Sequence, residues 1–236
     1  MVRWPSVARK AHKWLALIIG VQALFWVVGG LYMTAVHIDI IHGDHLVRTP
    51  EAQPIAMDGL VDPSVILARA EGVQSLRLDQ QLERPVYIVS QKEGRSLFDA
   101  RSGERLPLID EAGARQRAER IYAGDGGVRE MELMHEIPDE IRGRLAPIWR
   151  VQFEGLWRPT LYISPQTGEL AARRHDLWRT FDFIWMFHIM DYESRENVNN
   201  LLLKIATWVM VATSLTGGWL LLYSFRRKRR VRKAAA

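Results

Sequence analysis

One long apolar run lies near each end of the chain. Trp14–Val36 holds 23 residues without a charge, and Leu201–Phe225 holds a single charged residue, Lys204, close to its beginning. A helix needs about 20 apolar residues to cross the hydrocarbon layer of a membrane. The sequence therefore predicts two transmembrane helices, over residues 14–36 and 200–225, with most of the chain between them.

The charged residues are distributed unevenly along the chain. All 27 acidic residues lie between His37 and Asn200, and both chain ends carry basic residues only. Lysine and arginine beside a spanning segment are retained in the cytoplasm. We therefore expect a double-pass protein of the cytoplasmic (inner) membrane, with both termini cytoplasmic and the central part periplasmic. Residues 1–13 are then the cytoplasmic N-terminus, and residues 226–236 a basic tail that contacts membrane lipid and no nucleic acid.

A cleaved signal peptide is the alternative for the first apolar run. The run is longer than the roughly 7–15 apolar residues of a signal peptide, and "MTAV" is a poor cleavage site. The chain also contains no cysteine, which excludes disulfides, thiol nucleophiles and iron–sulfur clusters. The central domain must therefore be stabilised by the packing of its side chains alone.

The central part shows two successive patterns of one helix followed by strands. In the first, Asp62 is a candidate helix cap, Pro63 suits the first turn, and Gly72 ends the helix before three alternating segments. The second pattern begins at Asp110. The two patterns end in "LFDARSGERL" and "LYISPQTGEL", which share aromatic, turn and Gly-Glu positions and indicate an internal repeat.

The helix, the strands and the closing hairpin together resemble the PepSY module. The segment "ARKAHKWLALIIGVQALFWVVGGLYM" likewise resembles the first helix of PepSY-associated transmembrane proteins. The resemblance implies an α+β membrane protein in which two antiparallel transmembrane helices flank a pair of PepSY-like modules, each a helix on an antiparallel sheet. We expect the modules over residues 61–108 and 109–175, after a linker over residues 37–60 that is rich in proline and acid.

The same resemblance implies a non-catalytic binding, regulatory or assembly subunit of a membrane complex. Its partner is then another membrane or periplasmic protein, or a second copy of the chain in a homo-oligomer. Standard catalytic signatures are missing from the sequence, since "HEIPDE" at His135 is not HExxH, and there is no GxSxG, phosphate-binding loop or dinucleotide fingerprint. An enzyme acting alone is therefore not expected, and the main prediction includes no cofactor.

Histidines near the ends of the helices suggest an alternative, a subunit that binds haem b. His37 follows the first apolar run and His188 precedes the second, so we expect both at a similar depth. One histidine from each of two elements can hold a haem, and relatives with four helices imply such a use of helix-end histidines. His12 is a third candidate, but about 37 Å of helix separates it from His37. The alternative function is a haem-dependent reductase subunit in iron, siderophore or other extracytoplasmic electron transfer.

The stretch "HIDIIHGDH" suggests a weaker alternative, metal sensing or delivery. Its candidate ligands are His37, His42, His45 and Asp44. A metal site needs three or four converging ligands. A turn after the first apolar run must therefore bring these side chains together, and Gly43 is placed to end a helix there.

An interfacial amphipathic helix is predicted over residues 176–195. Large apolar side chains recur there at helical spacing on one face. We expect this helix at the outer headgroup level, where its face binds a partner protein. The candidate partner-binding residues are Phe181, Ile184, Trp185 and Tyr192.

Small residues predict how the two spans pack against each other. The candidate packing residues are Gly20, Gly29, Gly30, Trp208, Gly217 and Gly218. Because the spans are antiparallel, we expect Gly20 at the depth of Gly217 and Gly218. We expect Gly29 and Gly30 opposite Trp208, whose indole ring can cover them.

Overall fold

A computed structural model describes residues 4–48, 54–81, 84–92 and 94–234, and within these ranges the side chains of residues 6–222. The first residues of the predicted cytoplasmic N-terminus, residues 49–53 of the predicted linker and the last two residues of the basic tail lie outside the described residues. The chain combines helices with antiparallel sheets. It divides into a helical unit, Met1–His37 with Thr180–Ala236, and a sheet unit, Ile38–Arg179.

The elements follow one another in a simple order. They are α1 (Trp4–Ala35), α2 (Ile38–His42), α3 (Pro63–Arg69), β1 (Val73–Gln81), β2 (Arg84–Gln91), β3 (Gly94–Asp99), α4 (Glu111–Ile121), β4 (Val128–Met134), β5 (Ile148–Phe153), β6 (Thr160–Ile163), β7 (Leu170–Arg174), α5 (Asp176–Ile189) and α6 (Leu201–Ala234). Short 3₁₀ turns occur at Asp44–Leu46 and Asp139–Ile141.

Two helices of the helical unit are long and apolar enough to cross a membrane, over Ser6–Ala35 and Leu201–Leu222. In α1 the best-covered side chains recur every three or four residues, at Ile19, Gln22 and Trp26, and Gly29 continues the series. This spacing is typical of a helix that packs along one seam. The helix begins ten residues before the predicted span, because the segment of basic residues and alanines that precedes the apolar run has good helix propensity.

α1 and α6 pack side by side and run in opposite directions. His12, early in α1, meets the late part of α6, where its Nδ1 lies 3.1 Å from the carbonyl oxygen of Thr213 and 3.1 Å from Oγ1 of Thr216. Hydroxyl and imidazole groups often join apolar helices in this way. The antiparallel arrangement predicted for the two long helices is therefore the observed one.

The sheet unit begins with α3 packed on the sheet β1-β2-β3. The Asp62 side chain accepts a hydrogen bond of 2.8 Å from the main-chain N–H of Ser64, and Pro63 occupies the first helical turn, as predicted. Ile66 of α3 is fully buried against Tyr87 and Val89 of the central strand. Burial of these large side chains holds the helix on the sheet.

The second half of the sheet unit repeats this plan with α4 on the sheet β4-β5-β6-β7. The Asp110 side chain caps α4 by accepting from the main-chain N–H of Gly113 at 2.9 Å. Ala114 and Ala118 are the buried positions of α4, and they let the helix approach a sheet core that includes Leu161. Small side chains on the inner face and charged ones outside are what an amphipathic helix on a sheet requires.

The two hairpins noted in the sequence close with the same turn. The main-chain N–H groups of Asp99 and Ser164 each donate to the carbonyl five residues later, at 2.9 and 3.0 Å. The glycines in the two turns, Gly103 and Gly168, have φ angles of +70° and +69°. This conformation favours glycine, which explains why the Gly-Glu pair recurs in both halves.

The beginning of the predicted linker is ordered and belongs to the sheet unit. Instead of an extended segment, Ile38–His42 is helical and Asp44–Leu46 forms a 3₁₀ turn. Ile41 and Leu46 are buried, and Val47 forms a β-bridge with Tyr122. The prediction was wrong here because a short amphipathic turn with two buried apolar residues resembles a linker in composition.

Candidate functional site

The histidine-rich stretch after α1 packs against the residue that follows β7. His175 is 1 % exposed, and its Nε2 lies 3.1 Å from the carbonyl oxygen of Ile41. Burial lowers the pKa of His175, and the hydrogen bond to this carbonyl opposes the effect only in part. Because a carbonyl oxygen can only accept, the neutral imidazole carries its proton on Nε2. Gly43, at φ +75°, lies so close that an added Cβ would be 3.2 Å from the His175 ring.

The acidic and basic groups of this stretch are already engaged within the sheet unit. Asp44 forms an ion pair with Arg173, whose Nε also donates to the carbonyl of His42 at 3.0 Å. The His45 ring lies edge-on to His175, with ring centroids 5.8 Å apart. Within residues 4–48, 54–81, 84–92 and 94–234, no group of three or more histidine, aspartate or glutamate side chains is placed to hold a metal ion.

A second polar network lies around Glu140. Its carboxylate accepts from the Tyr162 hydroxyl at 2.5 Å and from Nε of Arg179 at 2.7 Å. Burial alone would raise the pKa of Glu140, but the hydrogen bonds from Arg179 and Tyr162 outweigh it and hold the pKa below its usual value. Arg179 also contacts Asp176 at 3.2 Å, which in turn binds Arg158 at 2.8 Å. Glu140 is 39 residues from Arg179, and no local pattern signalled this pair.

In the helical unit, the C-terminal end of α5 is fixed by side chains from its neighbours. A helix leaves its last four carbonyl groups without partners inside the helix. Three of them accept hydrogen bonds here: Phe187 from Gln22 Nε2 at 2.8 Å, His188 from Trp26 Nε1 at 2.7 Å, and Ile189 from Asn200 Nδ2 at 2.8 Å. The end of α5 is therefore held at the middle of α1, beside the first residues of α6.

His188 lies in the last turn of α5, against α1. Its ring is parallel to that of Trp185, with centroids 6.0 Å apart, and a Cβ on Gly29 would be 3.1 Å from its Nδ1. Burial lowers the pKa of His188. Its Nδ1 and Nε of Arg195 are the buried side-chain polar atoms that lack a hydrogen-bond partner in the described part of the chain.

The three candidate haem ligands lie at three different levels of the helical unit. His12 is at the start of α1, where its ring also touches the surface of Gly217. His188 is level with Gly29, seventeen residues and about 26 Å further along α1. His37 lies two residues after the end of α1. The prediction that His188 and His37 share one depth was wrong, because the last turn of α5 packs against Gly29, six residues before the end of α1.

The predicted partner-binding face of α5 is largely used inside the chain. Ile184 contacts Gly29, Trp185 donates from Nε1 to the carbonyl of Arg195 at 3.1 Å, and the Phe181 ring stacks on Trp185 at 6.0 Å. Tyr192, the remaining candidate partner-binding residue, is 49 % exposed. α5 ends at Ile189, so Tyr192 lies beyond the helix and the periodicity that placed it on the same face does not apply.

The packing glycines have other neighbours than those predicted. Gly217 packs against His12, and Gly29 packs against α5, whereas a Cβ on Gly20, Gly30 or Gly218 would meet no described atom within 4 Å. The Trp208 side chain is 73 % exposed and covers neither member of the middle pair. The reason is that α6 begins only at the level of Trp26, so Gly29 meets Ile184 and His188 near the end of α5 instead of a residue of α6.

The sheet unit also contains a concave surface, the β3 cleft, beside the edge strand β3. It encloses about 570 Å³ and its lining is polar. The lining residues are Glu71, Gly72, Gln91, Lys92, Gly94, Arg95, Ser96, Arg105 and Gln166. Nη2 of Arg105 donates to Oγ of Ser96 at 3.0 Å, and Oγ donates to Oε1 of Gln91 at 3.2 Å.

Comparisons with protein-family models, with curated proteins and with solved structures each find no match. The resemblance to PepSY modules therefore rests on the sequence motifs alone.

Proposed function

We propose that α1 and α6 span a membrane and anchor the sheet unit outside it. Only 11 % of the most apolar window of each helix is buried within the chain. Contiguous apolar surface of this extent needs a cover, and helices that are apolar on most sides are typical of membrane spans. The basic residues that flank both helices at the chain ends support an arrangement with both termini in the cytoplasm.

The sheet unit then acts as a non-catalytic binding, regulatory or assembly subunit, as the resemblance to PepSY modules implies. Its main polar networks are engaged in holding its own elements together: Glu140 binds Tyr162 and Arg179, and Asp44 binds Arg173. What is left for a partner is the surface of the unit. We therefore place the binding activity at a concave polar part of this surface, the β3 cleft.

The observation that carries this proposal is the geometry of the β3 cleft. At one end of the β3 edge, the N–H of Leu106 donates to the carbonyl oxygen of Leu97 at 2.8 Å. At the other end, the N–H of Arg95 donates to Oε1 of Gln166 at 3.0 Å. The cleft lies between these two contacts. Because outward backbone groups of Arg95 and Leu97 are already bonded, a partner segment is expected to bind the side chains that line the cleft and not to add a strand along β3.

Charge in the cleft favours an acidic partner segment. Arg95 is paired with Glu169 at 3.0 Å, whereas Arg105 forms no ion pair among the described residues. A guanidinium group at the end of a sheet edge is suited to bind a carboxylate through two parallel hydrogen bonds. The proposed ligand is therefore an extended acidic or C-terminal segment of another membrane or periplasmic protein.

Site-specific photo-crosslinking tests this proposal in cells that make the full chain. A photoreactive residue at Lys92, inside the cleft, should give a discrete adduct, and the same residue at the exposed Arg101 of the neighbouring turn should not. The adduct should disappear in the Arg105→Glu background. Equal adducts from both positions, or an adduct unaffected by Arg105→Glu, would contradict the proposal.

A haem-binding redox subunit is the alternative, and it is supported by the unpartnered Nδ1 of His188. An absorbance spectrum of protein purified from cells supplied with iron separates the two functions. A Soret band that disappears in His188→Ala and persists in the exposed-residue control His135→Ala would favour the redox subunit. A colourless preparation would favour the binding subunit.

A further inference from the structure

Four aromatic rings form a cluster where α5 ends beside α1. The Phe187 ring stacks on Phe25, with centroids 4.8 Å apart, and meets Phe183 and Tyr192 edge-on at 5.1 and 5.8 Å. This ring cluster of Phe25, Phe183, Phe187 and Tyr192 is partly open, since Phe183 is 54 % and Tyr192 49 % exposed. Exposed aromatic rings beside an apolar helix pair need an explanation.

The ring cluster lies at one defined level of the helical unit. Trp26 binds the His188 carbonyl, and Asn200 binds the neighbouring carbonyl of Ile189. The end of α5, the beginning of α6 and Trp26 are therefore at the same height along α1. Phe25 is the neighbour of Trp26 in sequence, so the ring cluster shares this height.

The distance from this level to Trp219, near the far end of α6, matches a bilayer. Trp219 is 58 % exposed and lies nineteen residues after Asn200. This is about 28 Å of helix, close to the roughly 30 Å of a hydrocarbon layer. Aromatic residues are enriched at the two interfaces of a membrane, where their rings lie among the headgroups.

The loop between α5 and α6 shows on which side of this level water must be. The Asp191 carboxylate accepts from the main-chain N–H groups of Glu196 at 3.1 Å and Asn197 at 2.9 Å, so the loop folds around an acidic group. Glu193 and Glu196 are exposed. Ionised side chains are strongly disfavoured in hydrocarbon. The hydrocarbon layer therefore ends at the beginning of α6 and not at the end of α1. Two exposed lysines lie inside this layer near its edges, Lys204 about 6 Å from the outer edge and Lys13 beside His12, and their long side chains reach the headgroups.

The exposed apolar residues of α1 beyond Trp26 fit a headgroup layer. Val27 and Leu31 are 68 % and 67 % exposed. Leu31 lies five residues and about 8 Å beyond Trp26, and the headgroup region adds about 5–8 Å on each side of the hydrocarbon. These side chains therefore need no protein partner to cover them.

We propose that the ring cluster is a lipid anchor that lies at the boundary between the acyl chains and the headgroups, on the side of the membrane that carries the sheet unit. The proposal rests on the proposed double-pass arrangement. It moves the membrane boundary from His37 to Trp26, so that the last ten residues of α1 lie above the hydrocarbon. It also assigns lipid, instead of a partner protein, to the aromatic residues around α5.

Depth-dependent fluorescence quenching tests the anchor, and the absence of native cysteine makes single labels simple. Phe183→Cys and Tyr192→Cys report on the ring cluster, and Trp208→Cys reports about 12 Å deeper along α6. Leu108→Cys, 60 % exposed in the sheet unit, is the control for water. Each variant of the full chain carries one environment-sensitive dye in phosphatidylcholine–phosphatidylglycerol vesicles that contain lipids spin-labelled at acyl carbon 5 or 12.

We expect the two ring-cluster labels to be quenched at least twofold more by the carbon-5 quencher than by the carbon-12 quencher. The Trp208 position should show the opposite order, and the Leu108 position should not be quenched. If the Trp208 position is quenched but the ring-cluster labels are not, or are quenched best by the carbon-12 quencher, the lipid anchor is overturned. The two proposed membrane spans are upheld in that case. No quenching at the Trp208 position would instead overturn the double-pass proposal itself, and the anchor with it.

Discussion

Nε1 of Trp26 donates a hydrogen bond of 2.7 Å to the main-chain carbonyl of His188, which fixes the end of α5 to the middle of α1. Gln22 does the same for the preceding carbonyl, one turn earlier in α1. Through these bonds the last turn of α5 is fixed to the long apolar helix α1. The bonds also explain why a glutamine is tolerated inside a long apolar run: its amide completes the end of another helix.

Replacing Trp26 by phenylalanine tests the importance of this bond. The substitution keeps most of the ring but leaves the His188 carbonyl without its donor, which costs about 1–3 kcal/mol for a buried group. We expect the end of α5 to open more often and the loop after it to be cut faster by protease in detergent. Trp208→Phe, in the exposed part of α6, is the matched control and should change nothing. Equal cutting rates in the two variants would show that the bond does not hold α5.

Gly29 and Gly30 offer a matched pair for the contact between α1 and α5. A side chain at Gly29 meets Ile184 and His188 at 3.1 Å, whereas one at Gly30 meets no described atom within 4 Å. Overpacking of this kind costs about 1–3 kcal/mol. We therefore expect Gly29→Leu to lower the stability of the helical unit by about 2 kcal/mol relative to Gly30→Leu, as measured by thermal unfolding in detergent. A Gly30→Leu variant as unstable as Gly29→Leu would contradict the observed packing of α5.

His175 should make the stability of the chain depend on pH. Its pKa is lowered in the folded state, so the unfolded chain binds a proton more readily. The contribution of neutral His175 to the free energy of unfolding is complete above about pH 6.5, the pKa of histidine in the unfolded chain. It is lost as the pH falls below that value towards the lower pKa of the folded state. We expect the melting temperature to drop by a few degrees, roughly 2–4 °C for each kcal/mol lost, between pH 7.5 and 5.5.

His175→Gln is the variant that isolates this effect. The glutamine amide can still donate to the Ile41 carbonyl but does not titrate. Its melting temperature should therefore fall less than that of the wild type over the same pH range. If both proteins respond equally, the pH dependence arises from other groups and the assignment to His175 is wrong.

Glu140 should contribute to stability at neutral pH through Arg179 and Tyr162. Its side chain is 20 % exposed, and Glu140→Gln removes the charge that Arg179 faces. We expect a loss of about 2 kcal/mol at pH 7, less than for a fully buried pair. Because the folded pKa of Glu140 is lowered, this difference should shrink as the pH falls below the usual glutamate pKa of about 4.3. Denaturant titration at pH 7 and pH 4 measures the free energy of unfolding of the wild type and of Glu140→Gln at each pH. The substitution Glu136→Gln, at an exposed position, is the control.

Local patterns in the sequence predicted most of the elements. Asp62 caps α3 as predicted, α4 follows Asp110 where the second pattern was expected to begin, and Gly103 and Gly168 close equivalent hairpins. Each of these features depends on a few neighbouring residues. The antiparallel order of the long helices followed from their apolar length and from the basic residues at both ends. These are the levels at which a single sequence carries strong signals.

The contacts between distant elements were not predictable in this way. Periodicity correctly made one side of α5 apolar but did not reveal that α5 would lie beside Gly29, since this requires knowing that α6 begins level with Trp26. The role of Gln22 was similarly hidden, because its partner is a main-chain carbonyl that is 165 positions away. Glu140 and Arg179 are joined only through tertiary packing, and His175 is buried by a turn that looked like a linker.

The most direct test of the account is the side of the membrane on which each part of the chain lies. The exposed Glu132 of β4 and the last residue, Ala236, can each be replaced by the only cysteine of the chain and treated in intact cells with a maleimide that does not cross membranes. We predict that Glu132→Cys is labelled at once, and that Ala236→Cys is labelled only after the inner membrane is opened. Labelling of Ala236→Cys in intact cells, or protection of Glu132→Cys, would contradict the proposed anchoring by two spans.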